Sequence, residues 1–330
     1  MIKDKSYQSW NENILEWSKH FIQENYLKNR TIVSSDTRSI LEGVEELVGL
    51  PLMMHSYPSG ADIATWNIPQ QWEVEEAWLK GSDGEIIASY DMHPLFLAPY
   101  SKPVHLRLTK KELEKYVICH PSQFDAFYYE HRIAYDVNRR FKDWRITLPR
   151  NIWDNLPDGE YEIYIDSKQT PGDMLIGEFI LEGKREDSIG FLTDYCHPGQ
   201  VNDSFSGIIV MANVMRRLAQ LEEREYTYRM YVFPETIGSC VHLYSNPDLT
   251  KIIKCAIFSE FVGWGNEWLI TASNDQRLRR IIRQIQEEHK DARVAHLFDG
   301  IGNDELIFDY AGVPSISVQK TDVVEYHSSN

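Results

Sequence analysis

From Ser188 to Val318 the sequence alternates between apolar runs and amphipathic stretches, and few folds accommodate that pattern. Ile189–Tyr195, Tyr228–Phe233, Ile252–Val262 and Val313–Val318 read as strands. Between them, Ser204–Leu221, Gln276–His289 and Asp304–Ala311 carry apolar residues at helical spacing. Strands alternating with helices imply an α/β layer built on a mostly parallel sheet flanked by helices.

The segment before it reads differently. From about residue 63 to 183 there are short strand-like runs, among them Ala126–Tyr129, Trp144–Leu148, Tyr161–Ser167 and Leu175–Leu181. Turn chemistry at Gly81–Gly84, Asp158-Gly159 and Thr170-Pro171-Gly172-Asp173 separates some of them. Thr109–Tyr116 is the one helical stretch expected there. This is a β-rich domain. Its aromatic residues Trp66, Trp72, Trp78, Phe127, Tyr128 and Tyr129 are expected mostly in a core, with a substrate-facing surface as the alternative. Before residue 63, Trp10, Ile14, Leu15, Trp17, Phe21 and Ile22 mark one helix. Asp36–Val48 marks another, with Asp36 as its cap and Ile40, Leu41, Val44 and Leu47 as its stripe.

The 330 residues carry 34 basic and 50 acidic side chains, a net charge of −16. That field repels phosphate backbones and anionic lipid. The sequence therefore argues against nucleic-acid and membrane partners and tolerates an amine-bearing one. No apolar run is long enough for a membrane helix, and the first residues lack a signal-peptide core. Cys119, Cys196, Cys240 and Cys255 form no CxxC pair. They read as reduced thiols of a cytoplasmic protein.

Ligands of open α/β sheets bind beyond the carboxyl ends of the strands. His197 and Asp203 follow the first strand of the last third, and Glu235 follows the second. Glu260 lies within the third, and His327 follows the last. Histidines and carboxylates at one sheet edge are the ligand set of a zinc hydrolase. Each has a plainer alternative. Asp203 could cap the next helix, His197 could bond a backbone carbonyl, and Glu235 could face a helix N-terminus. Glu260 in an apolar strand is costly unless paired or metal-bound. His327 near the chain end is solvated by default. Cys196 beside His197 reads as a core residue, and the absence of HExxH excludes a helix-borne zinc motif.

CHPGQVNDSFSG (196–207), PETIGS (234–239), GNDELIF (302–308) and YHSS (326–329) together resemble a bacterial aminopeptidase-like family. That family is related to zinc aminopeptidases of the bacterial leucyl and transferrin-receptor type. It is often encoded near polysaccharide-biosynthesis genes. SDTRSILE, PYSKPV and DGEYEIYIDSKQTPGDMLIGEFIL are similar to its inserted β-rich domain and lead-in. The resemblance covers nearly the whole chain. It implies that residues 1–62 and 184–330 form one aminopeptidase-like domain interrupted by a β-rich domain at 63–183.

The same resemblance implies that His197, Asp203 and His327 hold zinc, with Glu260 as a further carboxylate. Three protein ligands leave a position open for water. Glu235 falls at the catalytic glutamate, the general base on a zinc-bound water in hydrolysis of a peptide or amide. Relatives place a metal-binding glutamate directly after it, where this chain has Thr236, so one Zn2+ is expected rather than two. Asn202, Thr236, Asp304 and Glu305 are candidate substrate-binding or supporting residues. A small peptide or amide substrate is expected, and a homodimer through the insert is a candidate assembly. The alternatives are an amidase or deacylase acting on an amino sugar, and a degenerate binding protein without catalysis. Relatives continue past the YHSS motif into a small winged-helix module. The expectation is thus a chain short by that module, with little behind His327 to hold it.

Overall fold

The computed structural model describes residues 5–132, 143–321, 323 and 325–329. Of residues 5–12 only the backbone is described, so the expected contribution of the Trp10 side chain lies outside it. An eight-stranded sheet runs through the molecule. At its centre Tyr226–Phe233, Arg185–Asp194, Ile253–Ser259 and Ser315–Lys320 pair in parallel, in that order. Asp173–Leu181 and then Met53–Pro58 extend one side antiparallel. On the other side Trp268–Ala272 pairs antiparallel with Ser315–Lys320, and Ala292–His296 lies parallel beyond it.

Both faces of this sheet are buried, and strand periodicity sorts the side chains between them. Phe191, Met230 and Val232 face one core with Leu41, Val44, Phe205, Ile208 and Met211. Leu192, Tyr231 and Phe233 face the other, with Ile237, Val241 and Phe308. Helix Thr37–Val48 presents the stripe expected from its spacing, and Ile40, Leu41 and Val44 are fully buried. Truncating Leu41 to alanine in such packing costs about 2–5 kcal/mol. Asp36 makes no side-chain cap bond. Its carboxylate accepts the Asn29 amide instead, at 2.9 Å.

A second sheet, antiparallel, takes Ile86–Ser89, Gln71–Lys80, Glu160–Thr170 and Val104–Thr109 in that order. Its core contains Trp72, Tyr100, Tyr161, Ile163 and Ile165. Of the aromatic residues singled out above, Trp72 is core. Tyr129 is buried too, but against a histidine at the edge of the large sheet.

Four expectations need correction. The expected strand Leu175–Leu181 belongs not to the β-rich segment but to Asp173–Leu181, which is hydrogen-bonded into the large sheet. The chain leaves the second sheet at Thr170, so 183 is too late a boundary for that segment. The reason is visible in burial. Glu160–Thr170 alternates buried and half-buried, whereas Asp173–Leu181 is buried almost continuously. Ala126–Tyr129 is not a strand, and makes one isolated bridge, Tyr128 to Ser328. The expected helix over 109–116 is one turn, Lys110–Leu113, opened by a Thr109–Glu112 capping box. The third strand ends at Ser259, so Glu260 lies just past its carboxyl end rather than within it. Among the described residues, no helix is long and apolar enough to cross a membrane.

Candidate metal centre

The parallel register brings the candidate residues to one edge. Asp194 lies opposite Phe233, and the Tyr195 amide donates to the Phe233 carbonyl at 3.0 Å. His197 and Glu235 therefore leave adjacent strand ends, and Glu260 leaves the next one. The loop carrying His197 and Asp203 is fixed from below by Arg30. This fully buried guanidinium donates to the Tyr195 carbonyl at 2.7 Å and to the Gln200 carbonyl. It also lies 3.8 Å from the centroid of the Phe205 ring. The helix Phe205–Ala219 then starts very close to the neighbouring strand. A Cβ on Gly207 would sit 1.9 Å from the Ser259 carbonyl oxygen. Only glycine permits that approach.

His197 Nε2 lies 3.4 Å from Glu235 Oε2 and 3.8 Å from Asp203 Oδ2. His327 Nε2 lies 3.6 Å from the same Asp203 oxygen. His197 is 3% exposed, Asp203 5% and His327 5%. Asp203 does not cap the following helix, whose first turn has no side-chain cap bond. Several buried polar atoms have no hydrogen-bond partner: His197 Nδ1, His327 Nε2, Glu260 Oε1, Asp304 Oδ2 and Glu305 Oε1. Unpartnered buried polar atoms are rare and gather where something else binds.

The electrostatics point the same way. Burial, reinforced by neighbouring histidines, pushes the His197 imidazole well below its ordinary pKa. Burial, reinforced by other histidines, takes His327 down to about 3. Both rings are neutral near pH 7, the form that binds a metal. Burial raises the carboxyls of Asp203, Glu235 and Glu260 well above their usual range, and neighbouring carboxylates add to it. Burial likewise raises Asp304 and Glu305 to about 7. Such a group of acids gains most from a bound cation, which reverses the push. Two neutral imidazoles and a carboxylate are a donor set that fits zinc, and the two nitrogen–oxygen separations of 3.8 and 3.6 Å are near those of ligands that share one ion with bonds of about 2.0–2.2 Å.

The remaining candidates divide. Glu260 Oε2 accepts from Asn303 Nδ2 at 3.2 Å, and Glu305 accepts the Asn303 amide at 3.1 Å, so one loop orients both carboxylates. Asp304 accepts from Ser239 and from the Thr236 amide, which holds the two loops together. Thr236 has φ 62°, and its hydroxyl is 3.5 Å from the Asn303 side-chain oxygen. Asn202 fixes the backbone of Gly263 and Trp264 through three hydrogen bonds. Cys196 is a core residue whose sulfur accepts the Glu235 amide at 3.1 Å, and burial raises its thiol pKa. A cavity of about 520 Å³ opens beside Asp203 and His327, with Val201, Phe261, Trp264 and Glu325 among its lining.

His327 is firmly held, contrary to expectation. The insert pairs with its chain segment: the Tyr129 amide donates to the His327 carbonyl at 2.7 Å, and the Ser329 amide to the Phe127 carbonyl at 3.1 Å. His120 Nε2 donates to the Tyr326 carbonyl at 2.9 Å. The same stretch delivers a residue that sequence reasoning missed. His131 packs edge-on against both His197 and His327, with centroids 5.3 and 5.5 Å away. Neither Arg30 nor His131 follows a strand of the large sheet, so the strand-end rule could not find them. Among the described residues another grouping, His55, Glu178 and His242, lies elsewhere on the large sheet. There Glu178 already pairs with His55 at 2.7 Å and Arg229 at 2.6 Å.

Comparison with known proteins agrees with this architecture. A Clostridium acetobutylicum protein described as a polysaccharide biosynthesis protein with an aminopeptidase-like domain is 29% identical over 296 residues. The match covers 89% of this chain and 66% of that protein, so the chain spans just under two thirds of its relative. A crystal structure from the same organism, described as a peptidase, superposes with TM-score 0.85 at 27% identity, covering 98% of this chain and 77% of the other. The fold is also that of BSAP, a zinc aminopeptidase from Bacillus subtilis, with TM-score 0.63 at 13% identity over 96% and 88% of the two chains. An M28 peptidase precursor from Shewanella amazonensis gives 0.64 at 11% identity over 96% and 87%. The chain has the aminopeptidase-like α/β fold. A family model matches residues 19–330, and the chain belongs to that family, described as a domain of unknown function, DUF4910.

Proposed function

We propose that the protein is a metal-dependent hydrolase of the aminopeptidase type, cleaving a peptide or other amide bond with Glu235 as general base. The observation that carries this reading is the placement of Glu235 Oε2 3.4 Å from His197 Nε2, beside Asp203 and His327. His197, Asp203 and His327 would hold one zinc ion, because Thr236 offers no carboxylate for another. Bound zinc supplies Lewis acidity, polarising a carbonyl and acidifying water.

The chain supplies the rest. Glu235 is half-buried, and its desolvation, with neighbouring carboxylates, raises its proton affinity. It is therefore suited to accept a proton from water and return it to the leaving nitrogen. Glu260 Oε1 and Glu305 Oε1 are unpartnered acceptors, and would receive the ammonium of a substrate with a free amine. The cavity beside His327 gives an adjoining group apolar walls from Val201, Phe261 and Trp264. The free cysteines favour a reducing, cytoplasmic setting.

The polysaccharide-biosynthesis description of the Clostridium relative favours a second reading, deacylation of an amino sugar. A panel of aminoacyl chromophores beside N-acylated amino sugars separates the two. Turnover of aminoacyl substrates, lost in Glu235→Gln, supports the first. Turnover of acyl sugars alone supports the second. No turnover by a zinc-loaded protein makes the chain a binding protein and overturns both.

A further inference from the structure

We infer that His131, carried by the insert, is a further ligand of the metal held by His197 and His327, so that metal binding ties the insert to the strand-end site. This rests on the metal-centre reading above and goes beyond its ligand set.

The first observation is convergence. His131, His197 and His327 each offer a ring nitrogen, and the three lie within 4.8 Å of one another. The three rings meet edge to face rather than stacked, with centroids 5.2 to 5.5 Å apart.

The second observation is space. A cavity of about 20 Å³ is lined by Tyr129, His131, Cys196, His197 and Glu235 among others. That is about the room one water or ion needs. Neither His327 nor Asp203 lines it, so of the candidate site residues this void joins His131 to His197 and Glu235 alone, and the convergence of the three rings carries the inference.

The third observation is how the backbone around His131 is held. Arg132 is buried, and its guanidinium bonds the Glu130 carboxylate twice, at 3.0 and 2.8 Å. Arg145 approaches the other Glu130 oxygen at 3.8 Å. Two residues earlier, Tyr129 is fixed to the His327 carbonyl. His131 therefore sits two residues from a backbone bond to the His327 segment and between two side chains paired with each other, which restricts where its ring can go. Thr236, next to Glu235, contributes no ligand atom of comparable strength, and its hydroxyl lies toward Asn303. A nitrogen-rich set of three imidazoles with Asp203 would favour zinc or cobalt over magnesium or calcium, and the water of the proposed hydrolysis would then be a fifth ligand, a number zinc can reach.

The test uses the whole 330-residue chain stripped of metal, titrated with zinc and with cobalt(II). Far-ultraviolet circular dichroism and melting of the metal-free variants verify folding. The expected result is that His131→Ala weakens zinc binding at least ~10-fold and alters the visible cobalt bands, and that His131→Gln does the same. Protection of residues 120–131 from hydrogen exchange should rise on zinc loading of the wild type and not of the variants. Unchanged zinc affinity and cobalt bands in folded His131→Ala overturn the inference but leave the metal centre standing. Wild-type affinity in His131→Gln also overturns it, since glutamine keeps bulk without imidazole. A wild-type protein that takes up no metal overturns both the inference and the reading beneath it.

Discussion

Tyr129 lies flat against His197, with ring centroids 4.2 Å and planes 22° apart, and its amide donates to the His327 carbonyl at 2.7 Å. One residue of the insert thus orients two histidines that arrive from distant parts of the chain. The expectation of a loosely held His327 fails for this reason. Truncation keeps that backbone bond but removes the ring that stacks on His197 and meets His327 edge-on at 5.2 Å, which should loosen both rings. Tyr129→Ala is expected to lower zinc affinity by about 10- to 100-fold, the range for residues that orient ligands. Competition with a chromophoric chelator measures this, and an unchanged affinity would count against the orienting role.

Gly207 sets how closely the helix after Asp203 approaches the sheet. With a methyl group 1.9 Å from the Ser259 carbonyl, Gly207→Ala must push helix and strand apart. Destabilisation of about 1–3 kcal/mol is expected from such overpacking, read from the denaturant midpoint at constant slope. Because Ser259 precedes Glu260 and the helix follows Asp203, zinc affinity should fall with it.

Charge on the site makes metal loading depend on pH. Asp304 and Glu305 are raised to about 7, against about 4 for an unfolded carboxyl. Between those values the folded metal-free chain holds more protons than the unfolded one, so these groups reduce stability as pH rises. His327, lowered to about 3, acts in the opposite sense, stabilising the fold as pH rises toward about 6.5. Zinc requires deprotonated ligands. The rise in melting temperature on zinc addition is therefore expected to grow between about pH 5 and pH 8, with protons released on binding. A zinc-induced shift that shrinks over that range would contradict the assigned charges.

General-base chemistry at Glu235 predicts a separation of binding from turnover. Glu235→Gln is expected to keep zinc within a few-fold of wild type while turnover falls about 10²- to 10⁴-fold. Direct comparison of metal content and initial rates checks it. Equal loss of both would make Glu235 a ligand rather than a base.

Much of this was legible because the decisive residues follow apolar strands. His197, Asp203 and Glu235 sit where parallel strands end, and continuous apolar runs, buried on both faces, announce those strands. The sequence reading failed where position depends on pairing across long separations. Asp173–Leu181 follows the strand Glu160–Thr170 after a tight turn, yet joins another sheet. Only its continuous burial betrays the change, and burial on two faces is a property of neighbours. In the sequence Glu260 continues an apolar run, but pairing of that strand stops at Ser259. His131 has no local signature at all. Its role follows from the pairing of Phe127–Tyr129 with His327–Ser329, which no spacing within either segment encodes.

Every role assigned to these residues depends on a metal ion at the carboxyl edge of the large sheet. Anomalous diffraction at the zinc absorption edge, from crystals of the zinc-loaded protein, tests it most directly. The account predicts the principal anomalous peak within bonding distance of His197, Asp203 and His327, with Glu235 alongside. A peak confined to His55, Glu178 and His242, or no ordered zinc at all, would contradict it.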